Sequence, residues 1–219
     1  MGPPTMLGFF DVDHTLIQKT SIEAVFIKWL FFHGKISISR IYAVLRFFLA
    51  HLDDIGGTAL RGNKMYLKGM KYDDMQHYTT TVCEKYVKRL ISKDGMQEIQ
   101  KLKQEGKRVV LLSASPAPLI SYVSEYVGAD DSIATSLEES GGILTGTIAG
   151  LHPYGARKIT AAIKYAQQRG VALKSCTAYA NAFSDVPLLQ VAGQAVAVNP
   201  DRHLHRWAKH RGWRIIYFK

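Results

Sequence analysis

The chain is short of cysteine, of long apolar runs and of acidic residues relative to basic ones, and each shortage narrows what it can be. Among 219 residues the only cysteines are Cys83 and Cys176. They share no CxxC spacing and lie near no pair of histidines, so a structural zinc site is not expected. Two thiols in a chain of this size point to a reducing compartment. No apolar run approaches the ~18 residues that a membrane span requires. No secretory signal is expected either: Met1 to Met6 carries no basic segment, and Leu7 to Phe10 is too short for an apolar signal core. A cytoplasmic location is the resulting expectation. Acidic residues number 18 against 28 basic ones, a formal charge of +10. That excess favours anionic partners: phosphorylated metabolites, nucleic acid or an anionic membrane surface. The basic residues are dispersed, apart from a mild cluster over Arg202 to Arg214, and no nucleic-acid motif accompanies them. Nucleic acid is therefore not an expected partner.

What is present describes a globular protein. Hydrophobic residues make up 47% and charged residues 21%, enough for one large domain or a domain with an insert. From Ile22 to Leu52 large apolar residues recur at helical spacing, as Ile22, Val25, Phe26, Trp29 and Leu30, and again as Ile41, Leu45, Phe48 and Leu49. The spacing predicts a helical hairpin turning near His33-Gly34-Lys35, packed on the rest of the chain. A greasy lid that meets an apolar substrate tail or touches a membrane surface is the alternative. Gly56-Gly57 marks a turn, and Tyr66 to Leu90 reads as further helix, with Asp73-Asp74 early in one of these helices. After Asp94 the pattern changes. Apolar runs at Arg108–Leu112, Ile133–Ser136, Cys176–Tyr179, Ala195–Val198 and Trp213–Tyr217 alternate with helical stretches, and Gly141-Gly142 frames a hairpin. Alternating strands and helices predict an α/β fold with a doubly wound, mostly parallel sheet. Residues 1–17 and 94–219 then form the core, and the helical block 18–93 is an insert.

The chain is organised around Phe9-Phe10-Asp11-Val12-Asp13-His14-Thr15-Leu16. An apolar run enters two aspartates spaced by one residue. Read as a buried strand, it leaves the aspartates just past its carboxyl end, where open α/β sheets place ligands. Residues i and i+2 of an extended segment point to one side, so Asp11 and Asp13 are expected to converge. Carboxylates that close repel unless a cation or shared proton separates them. A hard divalent ion such as Mg²⁺ suits all-oxygen ligands.

Three further places fall at strand ends of such a sheet: Ser113, Lys158 and the pair Asn181/Asp185. Each has a use on a phosphate ester. Asp11 can attack phosphorus as a carboxylate nucleophile. Asp13 can protonate the leaving alcohol and later deprotonate water. Ser113, with the backbone amide of Ala114 after it, can hold the transferring oxygens. Lys158 supplies positive charge to the anionic transition state. Asn181 and Asp185 complete a Mg²⁺ site with Asp11 and the main-chain carbonyl of Asp13. Taken singly, each has an ordinary reading. Thr15 caps a turn, Ser113 caps a helix, and Lys158 is solvated. Ser115 is either a second phosphate donor or a helix cap. His14 and His152 are ambiguous.

Taken in order, the motifs resemble those of the haloacid-dehalogenase superfamily of phosphohydrolases, and most closely its phosphoserine-phosphatase-like subgroup. They are Asp-x-Asp-x-Thr at Asp11 to Thr15, VVLLSASP at Val109 to Pro116, Tyr154-Gly155-Ala156-Arg157-Lys158, Ser184-Asp185-Val186-Pro187-Leu188-Leu189 and AVAVNPD at Ala195 to Asp201. The resemblance covers the core end to end, and the insert has the place of that subgroup's cap. It implies a Mg²⁺-dependent phosphomonoester hydrolase working through an aspartyl-phosphate on Asp11. Thr15 orders the nucleophile loop, and Thr15, Ser113 and Ala114 meet the substrate. A phosphotransferase shares every motif.

Two departures bear on function. The subgroup has Asp, a direct Mg²⁺ ligand, where this chain has Asn181. Losing one negative charge weakens a hard-cation site, which suggests weak Mg²⁺ binding or, at the extreme, a protein that only binds phosphorylated ligands. The acidic residue with which phosphoserine phosphatases read the serine ammonium is replaced by Thr20. Glu23 lies one helical turn on and is expected to be solvated. With so apolar a hairpin, a larger phosphomonoester such as a lipid phosphate is the expected substrate ahead of phosphoserine.

Overall fold

A computed structural model describes residues 6–36, 40, 42 and 64–219. The second half of the expected hairpin and the turn at Gly56-Gly57 lie mostly or wholly outside these residues. The first strand, β1 (Leu7–Asp11), is buried at every position. It runs parallel to β2 (Arg108–Pro116) on one side and to β6 (Thr177–Ala180) on the other. β3 (Asp131–Thr135) pairs with β2, β7 (Gln194–Val198) with β6, and β8 (Arg214–Ile216) with β7, all parallel. The order is β3-β2-β1-β6-β7-β8. The chain winds outward in one direction from β1 to β3 and in the other from β6 to β8, so the order reverses between β1 and β6. In open α/β sheets that reversal opens the ligand crevice at the strands' carboxyl ends.

The sheet is covered on both faces, so its strands carry apolar side chains on both. Leu7 and Phe9 point to one side with Val110, Leu112, Ala178 and Ala197. They pack there with Ala161, Ala162 and Tyr165 of α5 (Arg157–Gln167), with α6 (Val186–Val191), and with Leu204 and Ala208 of α7 (Arg202–Arg211). Phe10 points the other way with Val109, Leu111, Tyr179, Val196 and Val198. Against them pack α3 (Lys93–Gln104), α4 (Ala117–Val127) and α1 (Ile22–Phe32). Fully burying each of these large side chains stabilises the fold by about 1.5–3 kcal/mol. Gly8 lets α3 approach the sheet, because a Cβ there would stand 2.9 Å from the Leu102 side chain.

The helical block begins as expected. Ser21 caps α1 by accepting from the Ala24 amide at 3.1 Å, and Ile22, Phe26 and Leu30, four residues apart, are buried. The further helix expected from Tyr66 to Leu90 is a series of short pieces. Met65–Leu67 is a single 3₁₀ turn, α2 spans Tyr72–Val82, and a wider π turn (Cys83–Val87) and a 3₁₀ turn (Lys88–Leu90) follow. Asp73 and Asp74 sit in the first turn of α2, where the helix dipole favours them. Gly141-Gly142 turns an antiparallel hairpin of β4 (Leu137–Ser140) and β5 (Ile143–Ile148). That hairpin leaves the main sheet and bonds to the helical block. The Gly69 amide donates to Leu144 O at 2.8 Å, the Leu144 amide to Met70 O at 2.8 Å, and the Tyr72 amide to Gly142 O at 2.9 Å. Sequence alone gave no sign of this join.

Candidate active site

After β1 the chain turns back on itself. Val12 O accepts the amides of Leu16 and Ile17, both at 2.9 Å, and His14, exposed, adopts a positive φ of 62°. The turn returns Thr15 to the strand end, where its hydroxyl donates to Asp11 Oδ2 at 3.0 Å. Thr15 therefore orders Asp11 and is not merely a turn residue. Lys158, in the first turn of α5, reaches Asp11 Oδ1 at 2.6 Å and Asp185 Oδ2 at 3.0 Å. It is buried rather than solvated. Burial alone would lower its pKa, but the charges of Asp11 and Asp185 outweigh that and raise it.

Asp11 and Asp13 lie close enough for the charge of one to act on the other, and each has its own hydrogen-bond partners. Asp13 Oδ2 accepts Ser113 Oγ at 3.1 Å and Ser115 Oγ at 2.9 Å, and its Oδ1 accepts the Ile22 amide at 2.7 Å. The last bond ties the loop after β1 to the first turn of α1. Ser113 Oγ also accepts the Ser115 amide at 3.1 Å. Neither serine caps the next helix: the residue before α4 is Pro116, which makes no side-chain cap. Burial, then the nearby Asp11 charge, raise the Asp13 pKa, while the three hydrogen bonds hold it back. Burial and the Asp11 charge likewise raise Asp185, against Lys158. Ala114 sits between the two serines, and its carbonyl accepts Thr135 Oγ1 at 2.6 Å. Asn181 follows β6, with its carbonyl accepting the Asp201 amide at 2.8 Å. Asp185 begins α6. Every residue singled out for chemistry thus lies at the carboxyl end of β1, β2 or β6 or at the start of α5 or α6.

The charge balance bears on a metal. Asp11, Asp13 and Asp185 bring three carboxylates to one ammonium, and burial makes that imbalance costly. A divalent cation suits the excess. Among the described residues no three of the His, Cys, Asp and Glu side chains are grouped to hold a metal by themselves.

Glu23 is a correction. It is not solvated: Lys64 Nζ donates to its two oxygens at 2.6 and 2.7 Å, and Tyr66 OH at 2.8 Å. Lys64 is 1% exposed. Nothing in the sequence links residues 41 apart, and Lys64 and Tyr66 were not foreseen.

With this geometry in place, the family follows. The chain matches the haloacid dehalogenase-like hydrolase model over residues 9–190, and it belongs to that family. Among curated proteins it is similar to "Phosphoserine phosphatase SerB1" of Mycobacterium tuberculosis, at 30% identity over 98% of this chain and 71% of the relative. It is also similar to "Histidinol-phosphatase" of Neisseria meningitidis, at 27% identity over 97% of this chain and 99% of the relative. Among solved structures, a protein of unknown function from Bordetella pertussis Tohama I has the same fold, with a TM-score of 0.82, 20% identity and coverage of 98% and 99% of the two chains. Among the described residues no helix is long and apolar enough to cross a membrane.

Proposed function

We propose that the chain is a phosphomonoester hydrolase that works through a phosphoaspartate on Asp11, with Asp13 as acid and base and Mg²⁺ as its cofactor. The observation that carries this reading is the division of labour between the two aspartates. Asp11 is held by Lys158 and Thr15. Asp13 is held apart by Ser113 and Ser115, and its pKa is raised. A carboxyl group whose pKa is raised, beside a second one paired with an ammonium, suits the two roles of acid and nucleophile. In the first step an Asp11 oxygen bonds to phosphorus, the bond from phosphorus to the alcohol oxygen breaks, and the Asp13 proton passes to that oxygen. In the second step Asp13 takes a proton from water as the water oxygen bonds to phosphorus and the bond from phosphorus to the Asp11 oxygen breaks. Phosphate leaves, and both aspartates return to their starting state. Lys158 keeps positive charge beside Asp11 throughout. Ser113 and the Ala114 amide bind phosphoryl oxygens. Asp11, Asp185, the Asn181 amide and the Asp13 carbonyl would hold Mg²⁺, which when bound supplies charge to offset the phosphoryl oxygens.

The block 18–93 serves as a cap over the core, anchored through Gly69–Tyr72 to the β4–β5 hairpin. The substrate is a small polar phosphomonoester. The names of the relatives, a phosphoserine and a histidinol phosphatase, support it, as does the polar cluster of Glu23, Lys64 and Tyr66. This choice replaces the lipid phosphate and the membrane contact that the apolar hairpin suggested.

The test is a panel of phosphomonoesters with Mg²⁺, run on the protein and on Asp11→Asn. Phosphate release that Asp11→Asn abolishes is expected. No release from any ester at high Mg²⁺, or release that survives Asp11→Asn, overturns the mechanism.

A further inference from the structure

The basic cluster over Arg202 to Arg214 supplies no group to the phosphoryl chemistry. Most of it lies on α7, which carries Arg202, Arg206, Lys209 and Arg211 and no acidic side chain. Among the described residues no ion pair neutralises these charges. The helix dipole favours Lys209 and Arg211 in the last turn but disfavours Arg202 in the first. Like charges four residues apart, as Arg202 and Arg206 are, repel. Stability within the helix therefore does not account for Arg202 and Arg206.

His203, Arg206, Trp207, His210 and Arg211 are spaced by three or one along α7 and so share one face. Phe183, of the 3₁₀ turn Phe183–Asp185, stands against that face. The six line an open groove of about 420 Å³, within the range of small-molecule sites. One wall is aromatic. The Phe183 ring is 43% exposed, and it meets Trp207 edge-on at 5.8 Å and His203 at 5.9 Å. The rest is cationic: Arg206 and Arg211 are exposed, and the Arg211 guanidinium lies 5.3 Å from the Trp207 ring. Asp201 joins the two sides. Its Oδ1 accepts the Leu204 amide of α7 at 2.7 Å, and its Oδ2 accepts the Phe183 amide at 2.8 Å. One carboxylate thus holds both walls in place.

We propose that this groove binds a single nucleotide, with its base against the exposed Phe183 ring and its phosphate on Arg206 and Arg211. A flat base stacks on an exposed aromatic side chain whatever its ring substituents. A guanidinium matches a phosphate through paired, charge-assisted hydrogen bonds. A ligand that uses both halves of the groove carries a flat ring and an anion a few atoms apart, which describes a nucleotide. Two short segments make room for one base and not for a strand. The proposal does not rest on the phosphatase reading.

The probes are the 5′-(methyl phosphates) of adenosine, guanosine, cytidine and uridine, diesters that a phosphomonoesterase does not cleave. The free nucleosides and dimethyl phosphate represent the two halves. Binding is measured by calorimetry on the whole protein. At least one probe is expected to saturate below about 1 mM, and each of its halves to bind roughly tenfold more weakly or worse. Arg206→Gln and Arg211→Gln, at exposed positions, should each weaken that probe by about tenfold, the scale of one charge-assisted hydrogen bond. Phe183→Ala should do the same through lost stacking, and Phe183→Trp should retain binding. If Phe183→Ala does not fold, Phe183→Leu, which keeps apolar bulk and loses the ring, takes its place. No saturation by any probe, a half that binds as well as the whole, or affinity unchanged in the folded arginine variants overturns the proposal. So does an oligonucleotide of about eight bases that binds far more tightly than the nucleotide, since the groove is then part of a strand track. Nucleotide binding without hydrolysis of any phosphomonoester leaves the groove assigned and the phosphatase reading overturned, and hydrolysis without nucleotide binding does the reverse.

Discussion

Replacing Ser115 with alanine tests the assignment of Asp13 as the acid. Ser115 Oγ donates to Asp13 Oδ2 at 2.9 Å, beside Ser113 at 3.1 Å and the Ile22 amide at 2.7 Å. These bonds favour the carboxylate, so they hold down a pKa that burial and Asp11 raise. Taking the lower end for a hydrogen bond to a charged group, the loss is about 1.5 kcal/mol, or about one pKa unit further upward. An acid works while protonated, so the fall of kcat/KM at high pH should move up by about one unit in Ser115→Ala. Stability supplies an independent reading of the same shift. A carboxyl whose pKa is higher folded than unfolded costs stability as pH rises from the unfolded pKa through the folded one. Below that window Asp13 is protonated in both states and the variant and the parent differ little. Above it the variant should be weaker by about 1.5 kcal/mol, as read from denaturant midpoints. A falling limb that stays in place or moves down, in a variant that folds and turns over, refutes Asp13 as the acid.

Three more outcomes follow from the same geometry. Lys158→Met leaves Asp11 and Asp185 buried without their shared ammonium. The metal-free variant should lose about 3–5 kcal/mol, and Mg²⁺ should raise its melting temperature more than the parent's; an equal rise would mean that the ion does not sit by these carboxylates. Asn181→Asp should lower the Mg²⁺ concentration for half-maximal rate and raise the rate, and equal affinity and rate would discount Asn181 as a ligand. Cys83 and Cys176 are buried, and burial, then the Glu84 charge, push the Cys83 thiol up to about 12, while burial raises Cys176. Neither should react with a thiol-specific disulfide reagent until the protein is unfolded; labelling of the native protein within mixing time would contradict their burial.

The parallel core was legible because its strands are buried on both faces. Runs such as VVLL at Val109–Leu112 need no partner to be recognised. The observed strand β2 runs on to Pro116, further than the apolar residues do, because Ser113 and Ser115 face polar partners within it. The candidate site was legible for a related reason. Asp11, Ser113, Lys158 and Asp185 each occupy a strand end or a helix start, positions that punctuation in the sequence marks. The places where the helices after Tyr66 change winding were not legible. Apolar spacing continues across the π turn at Cys83–Val87, and a change in backbone winding leaves little trace in periodicity.

The sequence by itself determined the alternation of elements, the family and the chemical types at the site, because these are written in local patterns a few residues long. It did not determine how those groups are paired. Lys158 is a bridge between Asp11 and Asp185, and Glu23 is held by Lys64 and Tyr66. Asp11 and Asp13 lie close together, yet each takes its own partners. His152 is ambiguous in sequence and acquires one tautomer only through Thr135 and Ala114. Each of these facts depends on distance and burial between segments far apart in the chain, and those are set only when the sheet and the helical block pack together.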